Sequence, residues 1–365
     1  MASRVEKILK EMKKSNLDSV LVTSKANFYY ISNYYTEPHE RVIAAFISTK
    51  MDPVILLPAM EVEDAKTAGW AYPIISYYDH ENPWQLLLNY FKKNESIPQS
   101  IAIEQDHITL ERFQSIQEIL PKTEIFNAKE MLAKSRVIKS DNEHNRLKEA
   151  AELADFGIET GVNAIQEGIS EMELIATIEY ELKKQGVQGM SFSTMALSGS
   201  KTASPHGTPS SKKITAGDLV LFDLGVIHEG YCSDITRTVA YKSVTNEQKK
   251  IYQTVLEAEQ KAIETSKLGT EVGKLDKIAR DIITNAGYGE YFTHRIGHGL
   301  GIETHEYPSM HSNNTLQVQA GMCFTIEPGI YIPNIGGVRI EDMVFMKETG
   351  PTLLTNYPKE LQIID

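Results

Sequence analysis

Four carboxylates stand where apolar strands are expected, and this limits the possible folds more than anything else in the chain. Asp223 interrupts "VLFDLG", Asp234 opens "DITRTVAY", Glu327 lies in "FTIEPGIY" and Glu341 in "GVRIED". Burying a lone carboxylate is expensive, so such a group is protonated, paired or bound to a cation. The fold must therefore bring these acids to common partners. Asp223 and Asp234 flank "LGVIHEGYCS", whose His228, Glu229 and Gly230 can form the turn of a hairpin. On a hairpin of that length the two aspartates come to lie side by side on one face. Between Glu327 and Glu341, "IPNIGG" reads as another turn. Arg339, two residues before Glu341, shares its face.

These acids have no lysine among them, so cations must hold them together. The histidines supply a further donor. Six of the ten fall between His206 and His311, and residues 294–308, "HRIGHGLGIETHEYP", hold three. His298 sits in "GHGLG", where glycines let the backbone approach closely and leave the ring free to reach an ion. Two Asp, two Glu and one His form an oxygen-rich set with one nitrogen. It suits two hard or borderline divalent ions such as Mn²⁺ or Co²⁺ better than a thiolate zinc site. Taken singly, an Asp in a strand is more often a turn or edge residue, and a loop His more often a surface group. Four such acids with a glycine-flanked His in one domain reverse that reading. His311 is expected at the surface.

At 365 residues the chain suits two domains. Its net charge of -12 with scattered Lys and Arg excludes binding by phosphate neutralisation, so no nucleic-acid partner is expected. No apolar run is long enough for a membrane span, and the charged start does not read as a signal peptide. Two cysteines, Cys232 and Cys323, are too few for a disulfide framework and suit a reducing cytosol, so a cytoplasmic location is expected. Cys232 lies two residues from Asp234 but reads as packing.

Residues 1–133 alternate helical periods with short apolar runs such as "DSVLVTS", "VIAAFIS", "DPVILLP" and "SIAIE", the pattern of a smaller α/β domain without a glycine-rich phosphate loop. After a linker at 134–139, a second domain is expected over 140–365. It opens on the capping-box spacing Ser140 to Glu143, repeated at Ser170 to Glu173. Helices are expected at 246–266 and 272–286. Strands are expected in "DLVLFDLGV", "DITRTVAY", "MCFTIEPGIYI" and "GVRIEDMVFM". Without strict alternation, this predicts an α+β domain with a mostly antiparallel sheet.

The ordered set Asp223, Asp234, His298, Glu327 and Glu341, within "FDLG", "SDITRT", "GHGLG", "TIEPGIY" and "GVRIED", resembles the pita-bread metallopeptidases that cleave Xaa-Pro bonds. Among them it is most similar to the bacterial Xaa-Pro dipeptidases, or prolidases, and the likeness spans essentially the whole chain. The resemblance implies a creatinase-like N-terminal domain. It also implies a C-terminal pita-bread domain whose curved, mostly antiparallel sheet carries helices on its outer face. The five residues would ligate two divalent ions per subunit, Mn²⁺ first and Co²⁺ second. His206 in "SPHG", His294 and His305 in "ETHE" match histidines that contact substrate or the reacting centre, and Tyr331 matches a tyrosine near the metals. Glu327 would shuttle the proton, and His294 and His305 would stabilise the oxyanion or fix the substrate.

A dipeptidase has to recognise the α-carboxylate of the C-terminal proline, and Arg295 and Arg339 are the arginines within the motif segments. Some archaeal relatives carry an arginine just after "HE-x-P", where this chain has Ser309. The partners implied are a small peptide with proline second and a second copy of the chain. The loop "TEPHER", with His39 and Arg41, is expected either to reach the partner's active site and limit substrate length or to be simply solvated. Two alternatives stand. One is aminopeptidase P, which removes the residue before proline from longer peptides. The other is a non-catalytic pita-bread protein that binds peptides and would have lost ligands.

Overall fold

The computed structural model describes residues 2–365, which divide into two compact units with the boundary between Arg136 and Val137. The expected linker at 134–139 begins inside the helix Lys129–Val137.

The first unit is built on a six-stranded sheet with the spatial order Ile74–Tyr77, Val54–Pro58, Ala44–Ser48, Ser19–Val22, Ser100–Ile103, Glu124–Asn127. Its pairing is mixed: Ser19–Val22 runs antiparallel to Ala44–Ser48 and parallel to Ser100–Ile103. The three strands Ser19–Val22, Ala44–Ser48 and Val54–Pro58 are buried along their whole length. This explains why they read as unbroken apolar runs rather than alternations. Leu21, Phe46, Leu56, Phe91 and Ile101 share one core. The helix Pro83–Lys93 contributes Phe91 to it, with Asn82 capping Trp84 and Gln85 and Pro83 in the first turn.

In the second unit both expected capping boxes form, at Ser140 with Glu143 and at Ser170 with Glu173, starting the helices Asp141–Asn163 and Glu171–Lys184. A third, Thr245 with Gln248, opens Asn246–Thr265, which precedes Val272–Asn285. The first helix pair covers a sheet ordered Ile363–Ile364, Ile235–Tyr241, Leu219–Leu224, Met195–Ser198. Ala154, Ile158, Ile178 and Leu182 pack there against Phe222 and Leu224. At Gly161 an added Cβ would lie 2.8 Å from Ile178 and 2.9 Å from Phe222, so helix, helix and sheet meet too closely for a side chain. The second pair packs Ile251, Val255, Leu275 and Ala279 against Phe324, Ile326 and Val344. Those belong to an antiparallel sheet ordered Glu306–Ser309, His298–Gly299, Cys323–Ile326, Asp342–Lys347, Gly350–Leu353.

Two expected strands are each broken in two. "MCFTIEPGIYI" becomes Cys323–Ile326 and Gly329–Ile332, and "GVRIEDMVFM" becomes Gly336–Arg339 and Asp342–Lys347. The middle portions pair only with each other, as a ribbon in which Gly329 faces Arg339. Pro328 lacks the N–H a continuous ladder needs, and both breaks fall at an acid, Glu327 and Glu341. Among the described residues no helix is long and apolar enough to cross a membrane.

Candidate metal centre and active site

The hairpin that carries the two aspartates has a single register from end to end. Asp223 pairs with Thr236, and Ile227 with Cys232. The turn narrows to Glu229 and Gly230, both at positive φ, while His228 is already in a strand opposite Tyr231. Asp234 thus falls opposite Gly225, diagonal to Asp223 on the same face. Gly225 is required there, since a Cβ would come 1.9 Å from the Ser233 carbonyl oxygen. Phe222 and Leu224 point to the helices, so Asp223 points away from them.

Asp223, Asp234, His298, Glu327 and Glu341 line one cavity of about 520 Å³, together with His206, His294, Arg295, His305 and Arg339. Asp234, His298 and Glu341 are buried, and each offers a ligand atom within 4.8 Å of the other two. His298 Nε2 is 3.4 Å from Glu327 Oε1 and 3.6 Å from Asp234 Oδ2. The other ring nitrogen, Nδ1, lies 3.1 Å from the Gly299 carbonyl oxygen, which can only accept, so Nδ1 carries the proton. The Nε2 lone pair is therefore aimed at carboxyl oxygens, an arrangement that attracts only with a proton or a metal cation between them.

Two threonines fix the acids. Thr236 Oγ1 accepts from Arg339 Nε at 3.1 Å and donates to Glu341 Oε2 at 2.7 Å. Thr325 Oγ1 accepts from the His298 N–H at 3.2 Å and donates to Glu327 Oε1 at 3.4 Å. Sequence reasoning passed over both, although each lies two residues from an acid and so shares its face. It also passed over the apolar wall of Phe192, Met195 and Pro205. Asp223 Oδ2 accepts from Arg339 Nη2, while Asp223 Oδ1 and Glu341 Oε1 are buried without a hydrogen-bond partner. Buried carboxyl oxygens without partners are costly unless a proton or a metal cation binds them, and both residues line the same cavity.

The electrostatics agree. Burial, reinforced by Glu341 and Asp223, pushes Asp234 well above the usual carboxylate range, and burial with Glu327 and Asp223 does the same to Glu341. Glu327 is raised to about 7, mainly by burial, against the pull of Arg339. The imidazoles shift the other way: burial lowers His298 to about 3 and His294 to about 4, and also lowers His305. The acids resist ionisation together and the histidines stay neutral, a donor set that fits divalent cations.

The remaining expected residues take distinct places. Arg339 is buried and each of its three guanidinium nitrogens donates a hydrogen bond, Nη1 to the Tyr331 hydroxyl at 2.9 Å, and Tyr331 lies 2.9 Å from His294 Nε2. His294 Nδ1 donates to the Arg295 carbonyl at 2.8 Å, so its Nε2 accepts from Tyr331. Arg295 lines the cavity and donates from Nη1 to Ser309 Oγ at 2.8 Å. His305 stacks edge-on against His298, with ring centroids 4.3 Å apart. His206 is exposed on a loop at the cavity, and His311 is exposed. His39 and Arg41 belong to the first unit, where His39 is exposed at positive φ and Arg41 pairs with Asp79 at 2.9 Å. Cys232 and Cys323 are buried thiols, both raised to about 12 by burial.

An α+β domain whose sheets converge on a cavity of buried carboxylates and neutral imidazoles defines a metal-dependent enzyme. The family model "Metallopeptidase family M24" matches residues 145–348, and "Creatinase/Prolidase N-terminal domain" matches residues 4–138; the chain belongs to metallopeptidase family M24. It is 51% identical over 362 residues to the putative dipeptidase YkvY of Bacillus subtilis (strain 168), covering 99% of this chain and 100% of the relative. Its structure is similar to that of an Xaa-Pro dipeptidase from Bacillus anthracis, with a TM-score of 0.93 and 35% identity over 100% of this chain and 99% of the other. It is also similar to the prolidase from Pyrococcus horikoshii OT3, at 0.90 and 36% over 98% and 99%. The fold is thus that of the prolidases, with a creatinase-like N-terminal domain and a C-terminal pita-bread domain. Membership in the family implies divalent metal ions and peptide substrates.

Proposed function

We propose that this protein is a dinuclear-metal hydrolase that releases proline from Xaa-Pro dipeptides. The observation that carries the reading is the pair of orphaned oxygens, Asp223 Oδ1 and Glu341 Oε1, in a cavity where the His298 lone pair also faces carboxylates. Asp223, Asp234, His298, Glu327 and Glu341 would hold the two ions, with Mn²⁺ favoured and Co²⁺ second because oxygen donors dominate. Bound there, two such ions supply Lewis-acid activation of water and of the scissile carbonyl.

The chain's own residues do the rest. Glu327 is the carboxylate that would take and return the proton, because as one of the metal-binding groups lining the cavity it stays beside the water to be activated. It serves as the shuttle between water and the leaving proline nitrogen. His305 and His206, which line the cavity, would contact the peptide. His294 delivers its effect with Tyr331, since its Nε2 already accepts from that hydroxyl. Arg339 holds Asp223 and Tyr331, which leaves Arg295 as the anchor for the substrate carboxylate, its guanidinium brought beside Ser309. The subunit is expected to act in the cytoplasm as a homodimer, with His39 and Arg41 limiting substrate length.

The test is proline release from Leu-Pro, and cleavage of Leu-Pro-Pro, by metal-stripped protein with and without added Mn²⁺. Metal-dependent cleavage of the dipeptide alone is the expected result. Efficient cleavage of the tripeptide would move the assignment to aminopeptidase P, and two bound metals without cleavage of either peptide would refute the specificity.

A further inference from the structure

His206 stands on a loop, residues 199–209, whose two stems are joined by a single buried carboxylate. Glu171 is the first residue of the helix Glu171–Lys184 and is wholly buried. Its Oε1 accepts from the N–H of Ser198 at 2.9 Å and from the Ser198 hydroxyl at 3.0 Å, on the incoming stem. Its Oε2 accepts from the N–H of Ser210 at 2.8 Å and from the Ser210 hydroxyl at 3.1 Å, on the outgoing stem, and also from Lys201 Nζ.

Two lysines complete the clamp. Lys201 donates to the Ser210 hydroxyl at 2.7 Å, and Lys212 donates to the Ser198 hydroxyl at 2.8 Å and to Asp218 at 2.9 Å. The helix N-terminus adds its own donors, with the Glu171 and Met172 N–H groups bonding the carbonyls of Lys212 and Ser210. Between the stems the loop is pressed onto the ribbon that presents Arg339. The Gly337 N–H donates to Thr202 Oγ1 at 2.7 Å, and a Cβ at Gly337 would lie 2.1 Å from the Thr202 carbonyl oxygen. The capping box of this helix uses Ser170 and Glu173, so Glu171 is not needed for the cap.

We propose that Glu171 is a positioning residue for catalysis: by joining both stems of the 199–209 loop it fixes where His206 stands at the cavity. Each oxygen serves a different stem, so this one carboxylate ties together the two ends of the segment that carries His206. The inference rests on the reading of His206 as a substrate contact.

The experiment combines Glu171→Gln, His206→Ala and the double variant. Each is loaded with Mn²⁺ and assayed on Leu-Pro, with amide hydrogen exchange followed in parallel. In the Gln variant the amide nitrogen must face the donors of one stem, so that half of the clamp is lost. Exchange is expected to quicken in 199–209 while the helix Asp141–Asn163 keeps its protection and metal content is unchanged. We expect kcat/KM to fall about tenfold, as a slightly misplaced contact does, but less than about twofold when His206 is already alanine. Unchanged exchange in the loop, faster exchange throughout the domain, or an equal loss in both backgrounds would overturn the proposal. If the wild-type protein does not cleave Leu-Pro, the proposed function fails, and the exchange result alone decides the clamp. If it cleaves Leu-Pro and His206→Ala changes nothing, the link to catalysis is refuted.

Discussion

Metal binding to the stripped protein should release protons, and the amount can be worked out for Glu327. Burial has raised this carboxyl from an ordinary 4.5 to about 7, so it carries about 0.9 proton at pH 6 and about 0.1 at pH 8. A cation takes the ionised form, so that proton must leave on binding. Glu327 therefore contributes about 0.8 proton more at pH 6 than at pH 8, in addition to any proton released by Asp234 and Glu341, which burial and the neighbouring acids also raise. Titration calorimetry in two buffers of different ionisation enthalpy, at pH 6 and pH 8, reads the number directly. In Glu327→Gln the excess at pH 6 should shrink by about that amount. The same shift sets the stability of the metal-free protein. The native state binds the extra proton between the ordinary and the raised value. Its stabilisation is therefore complete below pH 4.5 and about 3 kcal/mol smaller once the pH has passed 7. Urea unfolding of stripped protein should show that decline, and Glu327→Gln should flatten it. Equal proton release at the two pH values, or a Gln variant indistinguishable from wild type, would refute the argument that Glu327 is buried among uncompensated acids.

Three further outcomes are expected. Replacing Arg295 with Met should raise KM for Leu-Pro by roughly 30-fold, the worth of about 2 kcal/mol in charge-assisted hydrogen bonds, with little change in kcat; a fall in kcat at constant KM would remove it as the carboxylate anchor. Gly297→Ala should weaken Mn²⁺ binding and cost on the order of 2 kcal/mol in unfolding free energy, because the new Cβ would meet the Thr325 carbonyl oxygen at 2.0 Å and push apart the strand that holds His298 and the strand Cys323–Ile326 that leads into Glu327; equilibrium dialysis and a denaturant melt check both. Arg237 and Lys359 outweigh burial and hold Asp342 at about 2, so its stabilisation is present above the ordinary value of 3.8 and lost as pH falls towards 2. Asp342→Asn should cost about 3 kcal/mol at pH 7 by leaving the buried Arg237 short of its partner, and an unfolding midpoint equal to wild type would contradict that.

The parts of this molecule that were legible in the sequence are those whose partners lie nearby in the chain. The capping boxes at Ser140 and Ser170 needed only a residue and its third neighbour, and both formed as read. The aspartate hairpin was legible for the same reason, since a short turn and a period of two fix which side chains share a face. The breaks at Glu327 and Glu341 were not. "MCFTIEPGIYI" and "GVRIEDMVFM" are apolar enough to read as single strands, and only their pairing with different partners on either side of the acid divides them. Arg339 shows how distance along the chain conceals a role. Its place two residues before Glu341 put it on the right face, but its guanidinium is committed to Asp223 and Tyr331, a fact that depends on where separate strands meet.

Glu171 is the extreme case. Next to a capping box it reads as one more acid in a first helical turn, a position that the helix dipole alone would justify. Its partners, Ser198 and Ser210, lie 27 and 39 residues further on. A carboxylate is cheap to bury only when its lone pairs are filled, so the complete filling of this one, beside the orphaned oxygens of Asp223 and Glu341, separates two uses of the same chemistry. A satisfied acid holds the backbone still. An unsatisfied one retains an attraction for a cation that the fold itself does not meet.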